Sequence, residues 1–198
     1  KRTVGSDIEV IDNKTLRNSN EFFIGDILDN NLNGMNYFQS GGYGTVSGIQ
    51  LRGLPKRYST VYIDGVKQYD PGSPSGDFDF STILKDQISR VEILRGNQSS
   101  VYGSGAMGGT INITTKRGKQ GFQKSSSYNT GSNGTHNLAL SMSGADEKND
   151  FYLGLEKFMT QGISAMTDND EKDGYDNNTV AASYGYKLTD KIKLEKNI

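Results

Sequence analysis

The chain has 198 residues, of which 33% are hydrophobic and 25 are glycine, and its 22 basic and 23 acidic side chains nearly cancel. It contains no cysteine and a single histidine, His136, so it offers no thiolate nucleophile, no cysteine metal site and no histidine triad of its own. The balanced charge lacks the basic excess that binding to nucleic acid requires. No apolar run approaches the ~20 residues of a membrane helix. We predict that the protein is neither an enzyme nor a nucleic-acid-binding protein.

The ends of the chain resemble those of a trimmed segment. Lys1 is preceded by no methionine or signal segment, and the alternation at residues 192–196 stops in the middle of a strand pattern. We therefore expect a piece of a longer protein.

The first half mixes short strands with short helices. Alternation predicts a strand at residues 8–11. Asn18, followed three residues later by Glu21, resembles a capping box, and apolar residues then recur at helical spacing, which predicts an amphipathic helix over residues 20–31. Ser81 is a predicted cap for a brief helix over residues 83–84.

Three further strands are predicted in this half. Residues 61–66 contain the Asp64-Gly65 pair that favours a tight hairpin turn. Period-two alternation and β-branched residues predict strands at 88–94 and 110–115. Together these elements predict a compact α+β unit.

The second half alternates in strands with no helical signal. The predicted strands are residues 137–143, 151–156 and 179–188. Their predicted connections are short turns at 145–148 and 189–191 and a long acidic loop at 163–176. Short turns on one rim and longer loops on the other are typical of an outer-membrane barrel. A soluble antiparallel meander with one wet face shows the same alternation, so periodicity alone leaves both structures open.

A glycine motif at residues 103–108 has the spacing of a dinucleotide-binding loop, G-x-G-x-x-G. The residues that follow favour a strand where that fold needs a helix, and no acidic residue lies about 20 positions further on. We therefore interpret these glycines as positions of sharp reversal and close backbone contact.

Four blocks of sequence resemble a known family. Residues 49–54, 60–66, 88–96 and 101–113 resemble, in order and spacing, the plug domain of TonB-dependent outer-membrane receptors. The resemblance covers nearly all of residues 1–117. It implies an α+β plug domain at 1–117, followed at 118–198 by the first antiparallel strands of a truncated transmembrane β-barrel, four and part of a fifth out of about 22.

The resemblance also implies residue roles. Arg52 and Arg95 follow two plug strands at positions where the family pairs arginines with barrel glutamates, although a solvated arginine at a strand end is the simpler alternative. Two loops match those that face outward and touch the ligand in the family. Their predicted contact residues are Gly42, Tyr43, Gly44, Tyr69, Ser73, Ser75 and Asp77. Turn-rich loops without a binding role have the same composition.

An acidic run at residues 168–176 contains five carboxylates. Oxygen ligands at this density suit calcium, and we name Asp168, Asp170 and Asp173 as candidate ligands. Lys172 interrupts the pattern of an EF-hand. Cobalamin transporters of the same family carry acidic calcium-binding loops in this region, whereas a solvated loop is the competing interpretation.

The resemblance implies a transporter in the outer membrane of a Gram-negative bacterium, with lipid around its barrel and no covalent chemistry. Cobalamin (vitamin B12) is the expected ligand, and a ferric siderophore is the alternative within the family. TonB would engage a segment upstream of Lys1. A soluble secreted β-rich binding module is the alternative from another class.

Overall fold

The protein is described here from a computed structural model that defines residues 7–96, 99–166, 171–189 and 192–197. It divides into two compact units, Lys1–Thr115 and Lys116–Ile198. The domain boundary expected from the sequence, between residues 117 and 118, lies two residues beyond this division.

The first unit is built on a mixed sheet. Its helices and strands are β1 (Asp7–Ile11), α1 (Asn13–Asn18), α2 (Ile24–Asn31), β2 (Met35–Gln39), β3 (Ser47–Leu51), β4 (Ser59–Ile63), β5 (Val66–Gln68), β6 (Ile88–Arg95), α3 (Ser99–Tyr102) and β7 (Gly109–Thr115). The sheet order is β1-β6-β7-β4-β5, in which only β4 and β7 are parallel, and β2 and β3 form a separate antiparallel pair. Short 3-10 turns lie at Lys56–Tyr58, Lys85–Gln87 and Ser104–Ala106.

The core of this unit lies on one face of the sheet. Ile93, Ile111 and Ile113 are at most 1% exposed, because alternate residues of the central strands point the same way. They pack in one cluster with Ile24 and Leu28 of α2. The predicted strands at 8–11, 61–66, 88–94 and 110–115 therefore correspond to β1, the β4–β5 hairpin, β6 and β7.

Asp64 joins the β4–β5 turn to the end of β7. It has the left-handed φ of 49° that the predicted Asp-Gly turn requires, with Gly65 at 82°. Its carboxylate accepts the backbone N–H and the hydroxyl of Thr115, at 3.0 Å and 2.5 Å. The turn thus fixes the last residue of the unit as well as reversing the chain.

The glycine motif lies outside any helix long enough for a nucleotide fold. Residues Gly109–Thr115 form β7, as the sequence predicts. A Cβ on Gly109 would lie 2.6 Å from the Leu94 carbonyl oxygen, and one on Gly108 would lie 3.1 Å from that of Tyr58. Both glycines therefore allow the close backbone approach expected of them.

The predicted capping box is wrong. Asn18 is the last residue of α1, which begins after Asp12, and the Asp12 side chain accepts the Thr15 N–H at 2.8 Å. The second helix begins only at Ile24, after Phe23, which provides no side-chain cap. The helix predicted over residues 20–31 is therefore α2, which begins four residues later than expected, and α1, which Asp12 caps, precedes it and was not predicted.

The predicted role of Ser81 is also wrong. The nearby turn is a 3-10 turn at Lys85–Gln87 that begins after Leu84 without a side-chain cap. Ser81 instead donates its backbone N–H to Asp79 at 2.9 Å.

The second unit is one antiparallel sheet in the order β12-β11-β10-β9-β8. Its strands are β8 (Gly121–Gly131), β9 (Thr135–Ala145), β10 (Asn149–Thr160), β11 (Tyr175–Thr189) and β12 (Ile192–Asn197). The predicted strands correspond to β9, β10 and β11, whereas the serine-rich β8 carries too few apolar residues to be predicted. The connection between β10 and β11 is the long one, and it lies on the same rim as the β8–β9 turn.

The predicted fold class, an α+β plug-like unit followed by antiparallel strands, is confirmed. Among the helices of the described residues, none is long and apolar enough to cross a membrane.

We predict that Asp64→Gly destabilises the first unit by about 1.5–3 kcal/mol, because glycine keeps the turn conformation but removes two hydrogen bonds to a carboxylate. Urea unfolding of residues 1–117 measures the change. Asp70→Gly is the control, since the Asp70 carboxylate accepts the exposed Gly72 N–H at 2.8 Å and the substitution leaves the backbone carbonyl of residue 70 in place. An equal loss in both variants would contradict the proposed contribution of Asp64.

Candidate functional site

The two loops predicted to face the ligand are tied together at their bases. The first predicted loop, residues 40–45, joins β2 to β3 and is called the β2–β3 loop, and the second predicted loop covers residues 69–78. Asp79, directly after the second loop, accepts the N–H and the hydroxyl of Ser47, the first residue of β3, at 3.1 Å and 2.9 Å. Partial burial alone would raise the pKa of Asp79, but the hydrogen bonds from the Ser81 N–H and from Ser47 outweigh it and lower this pKa. The loops therefore share one rigid base.

The β2–β3 loop is organised around the carbonyl of Gly42. This oxygen accepts the side-chain N–H of Gln39 at 2.6 Å and the hydroxyl of Thr45 at 2.8 Å. Gly44 has a φ of 80°, which a glycine adopts without strain. Gly42 and Gly44 are exposed, so the loop presents backbone that a ligand could approach closely.

Tyr43 leans back onto the body of the unit. Its ring stacks on Phe23 with centroids 5.2 Å apart, and the side chain is half-buried. Burial, with the nearby carboxylates of Asp26 and Glu21, raises the pKa of the Tyr43 hydroxyl. The phenol therefore stays neutral and can donate a hydrogen bond.

The second loop presents some predicted residues and uses others internally. Tyr69 is 67% exposed. Ser73 lies between two turns, since its N–H donates to Asp70 and its carbonyl accepts the Gly76 N–H. Ser75 donates its hydroxyl to Asp77 at 3.1 Å.

Asp77 is buried and holds the second loop in place. Its side chain is 4% exposed, and its carboxylate lies 3.4 Å from the Lys56 ammonium. In this structure Tyr69 is available to a ligand, whereas the Asp77 carboxylate is not on the surface. Ligand contact by the seven residues stays a prediction.

The two arginines converge on Gly34. Arg52 donates its backbone N–H to the Gly34 carbonyl at 3.0 Å, and Arg95 Nη1 lies 3.6 Å from the position of a Cβ on Gly34. Arg95 also pairs with Glu9 of β1 at 2.7 Å. Arg52 has a left-handed φ of 56° in a turn closed by the Leu54 N–H and the Leu51 carbonyl. Pairing of either arginine with a barrel glutamate stays a prediction.

Asp26 is a site residue that the sequence did not reveal. It lies in the first turn of α2, next to Gly25. The Tyr37 ring packs so closely against Gly25 that a Cβ at that position would clash with it. Burial, with repulsion from Glu21 and Asp29, raises the pKa of Asp26 to about 6. The only signal in the sequence was a density of acidic residues between 21 and 29, which is common on solvated helices.

The charge of this carboxylate acts on Tyr37 and Tyr43. Burial, with the charges of Asp26 and Asp79, raises the pKa of Tyr37 to about 12, although a hydrogen bond with Ser47 opposes the shift. Asp26 thus lies close enough to both tyrosines to act on them electrostatically, in an environment that favours its protonated form.

The acidic loop is described only in part. Asp168 and Asp170 lie outside the described residues. Asp173 accepts the Ala165 N–H at 2.8 Å, and Asp176 pairs with Lys157 at 3.4 Å. Within the described ranges, no three histidine or acidic side chains lie close enough to hold a metal ion. The described carboxylates therefore do not by themselves fit a calcium ion, and a site completed by Asp168 and Asp170 stays a prediction.

We predict that Asp26→Asn stabilises the protein at pH 7.5 and not at pH 3.5. Because the folded pKa of Asp26 is about 6, above its ordinary value of 3.8, the carboxylate costs stability as the pH rises through this interval. The gain should be about 1–2 kcal/mol above pH 6, after discounting for solvent screening. Urea unfolding of residues 1–117 at several pH values measures it.

Asp12→Asn is the control with the opposite sign. Hydrogen bonds from Thr15 lower the pKa of Asp12, so its carboxylate stabilises the fold above its ordinary pKa, and that contribution is lost as the pH falls through the lowered pKa. A gain from Asp26→Asn that is the same at both pH values would contradict a buried charge as its cause.

We predict that Arg52→Gly raises the stability of the first unit by about 0.5–1 kcal/mol, because glycine removes the strain of a left-handed residue. The urea midpoint of residues 1–117 measures this change. A lower midpoint would show that the Arg52 side chain stabilises the unit by more than its backbone costs.

Comparison with known proteins agrees with this architecture. Residues 1–110 match the TonB-dependent receptor plug domain. The chain is 34% identical over 159 residues to the vitamin B12 transporter BtuB of Photobacterium profundum, an alignment that covers 78% of this chain and 26% of that protein.

Solved structures share the fold. The siderophore receptor PirA from Acinetobacter baumannii has a TM-score of 0.76 at 20% identity, covering 96% of this chain and 31% of that one. The ferric yersiniabactin uptake receptor FyuA from Yersinia pestis has a TM-score of 0.73 at 23% identity, covering 91% and 29%. The chain thus spans about a third or less of the proteins it matches. Because the family match extends over more than half of its length, the chain belongs to the TonB-dependent receptor plug domain family.

Proposed function

We propose that this chain forms the plug and first wall strands of an outer-membrane transporter that imports cobalamin with energy delivered through TonB. One observation carries the proposal. A unit of the plug family is followed directly by a sheet whose apolar face is exposed and whose opposite face carries buried polar side chains on β9 and β10.

The exposed face of the sheet is apolar across neighbouring strands. Leu140 lies opposite Leu155, which in turn lies opposite Val180. These side chains are 45%, 46% and 60% exposed. Strands β8 to β11 have 11 to 15 residues, enough for the ~9–11 residues that a tilted strand needs to cross a bilayer. The face has the composition and height of a lipid-contacting surface.

Aromatic rings lie along one edge of this apolar face. Phe151 lies opposite Tyr184 on one side and Gly144 on the other, and Gly144 lies opposite Phe122. The Phe122 and Phe151 centroids are 6.3 Å apart. Rows of aromatic rings at this position are typical of the interface between lipid and water.

The opposite face of the sheet is rich in buried polar side chains. Asn137 is fully buried and donates to Glu156 at 3.2 Å, and Glu156 is 4% exposed. Thr135 and Thr160 share a buried hydrogen bond of 2.8 Å. A soluble meander has the reverse arrangement, with its apolar face buried and its polar face wet. This inversion favours the membrane transporter over the secreted binding module.

Ligand capture would begin on the exposed residues of the two tied loops. Tyr69 would make apolar contact with the ligand. The exposed backbone at Gly42 and Gly44 would allow the ligand to approach closely and form hydrogen bonds. Release inward would follow when TonB pulls on a segment before the plug. The anchoring proposed for Arg52 and Arg95 would keep the rest of the plug inside the wall.

Cobalamin is favoured over a siderophore by the relation to a vitamin B12 transporter at 34% identity. The siderophore receptors resemble this chain at 20% and 23% identity, which supports a common fold and not a common ligand. A ferric siderophore is the second candidate, because receptors for both ligands share this architecture.

Binding of cyanocobalamin to the full-length receptor in detergent, with and without calcium, tests the proposed ligand. We expect saturable binding of cyanocobalamin and none of ferric enterobactin. Tight binding of ferric enterobactin without affinity for cyanocobalamin would replace cobalamin by the siderophore alternative.

We also predict that residues 1–117 are soluble alone, whereas residues 1–198 aggregate without detergent because an open sheet leaves unpaired edges and an exposed apolar face. Size-exclusion chromatography in plain buffer measures both. A monodisperse 198-residue chain would contradict lipid-facing strands.

A further inference from the structure

The base of the long β10–β11 loop is closed by direct contacts between its two arms. We call residues 161–165 and 172–174 the neck of this loop. Within the neck, Asp173 donates its N–H to the Ile163 carbonyl at 3.3 Å. The Asp173 carboxylate accepts the Ala165 N–H at 2.8 Å. One residue on the returning arm therefore contacts two backbone groups on the outgoing arm.

Gly162 allows the two arms to approach this closely. Its φ is 69°, and a Cβ at this position would overlap the Asp173 carbonyl oxygen. A larger residue would separate the arms, so a glycine is required for the observed contact.

The neck is also fixed to the neighbouring turn on the same rim. Gln161 donates its N–H to the Asn133 carbonyl at 3.0 Å, and its side chain lies 3.1 Å from the position of a Cβ on Gly134. Lys172 donates to the side-chain carbonyl of the same Gln161 at 2.8 Å. The one cation within the acidic run at 168–176 is thus used to join the two arms.

The carboxylates of Asp173, in the neck, and of Asp176, just after it, already accept hydrogen bonds or ion pairs from protein donors. Besides the contact of Asp173 with Ala165, Asp176 pairs with Lys157 at 3.4 Å and accepts from Asn178 at 2.7 Å. No cluster of three metal-ligating side chains occurs in the part of the chain that the structure describes. Order at the neck is therefore explained by contacts within the protein.

We propose that Asp173 is a positioning residue that closes the neck through the Ala165 N–H, so that the base of the loop is ordered without a bound cation. This inference rests on the proposed function, since the long loops of an outer-membrane barrel lie on the outer side, where the ligand arrives. When the base of the loop is already ordered, less conformational entropy is lost on ligand binding. Closure of the neck therefore increases the affinity for the ligand.

Hydrogen–deuterium exchange of the full-length receptor, followed in peptides that cover residues 161–166, tests this role. Asp173→Ala should speed exchange about tenfold, the effect of one lost hydrogen bond. Asp173→Asn keeps an acceptor oxygen at the same place and should exchange within about twofold of the unmodified protein. Asp176→Asn, which removes an equal charge outside the neck, should have no effect, and neither should EDTA.

Two results would overturn the proposal. The first is equal exchange in Asp173→Ala and the unmodified protein. The second is protection that disappears in EDTA and is lost equally in Asp173→Asn and Asp173→Ala, because a cation would then order the neck.

The affinity for cyanocobalamin provides the functional readout. It should fall about three- to tenfold in Asp173→Ala and be restored in Asp173→Asn. An unchanged affinity in Asp173→Ala would overturn the effect on binding. If the unmodified receptor binds no cyanocobalamin, the proposed ligand fails, whereas the exchange rates still decide the role of Asp173.

Discussion

The reversed polarity of the second sheet is the constraint on which the account of this protein depends. Burying Glu156 and Asn137 while exposing Leu140 and Leu155 is unfavourable in water, because apolar surface is left hydrated and polar groups lose their solvent. In a bilayer the same arrangement is favourable on the outer face. The antiparallel ladder also satisfies the backbone hydrogen bonds that lipid cannot. The proposed membrane location is therefore supported by energetics as well as by family membership.

The first unit combines a stable scaffold with local strain near its loops. Its core is a conventional apolar cluster, and the Asp64 and Asp79 carboxylates fix turns and loop bases with several hydrogen bonds each. By contrast, Asp26 is a half-buried carboxylate beside two others, and Arg52 adopts a backbone conformation that suits glycine. Unfavourable features of this kind tend to persist where function requires them, and both lie at or near residues for which ligand contact or anchoring is proposed.

Much of the fold could be predicted from local patterns in the sequence. Alternation identified β6, β7, β9, β10 and β11, and the Asp-Gly pair identified the β4–β5 turn. The start of α2 was predicted too early because Asn18 belongs to α1, and α2 begins after Phe23 with no side-chain cap that a sequence pattern could reveal. Strand β8 was missed because its central serines carry no hydrophobic signal, and its place is set by pairing with β9.

The candidate site was less predictable than the fold. The loop positions came from family resemblance, yet the burial of Asp77 beside Lys56 and the elevated pKa of Asp26 depend on residues that are distant in sequence or packed from another element. Long-range packing of this kind leaves no local pattern.

The most direct test of the central claim is lipid contact on the two faces of β9. Because residues 1–198 contain no cysteine, single cysteines introduced at Leu140 and Ala139 can carry a fluorophore once any cysteine elsewhere in the full-length receptor is replaced. In liposomes containing the full-length receptor, brominated lipids should quench the label at position 140 strongly and the label at position 139 weakly. Equal quenching at both positions, or strong quenching of position 140 by a water-soluble agent, would contradict a lipid-facing apolar surface.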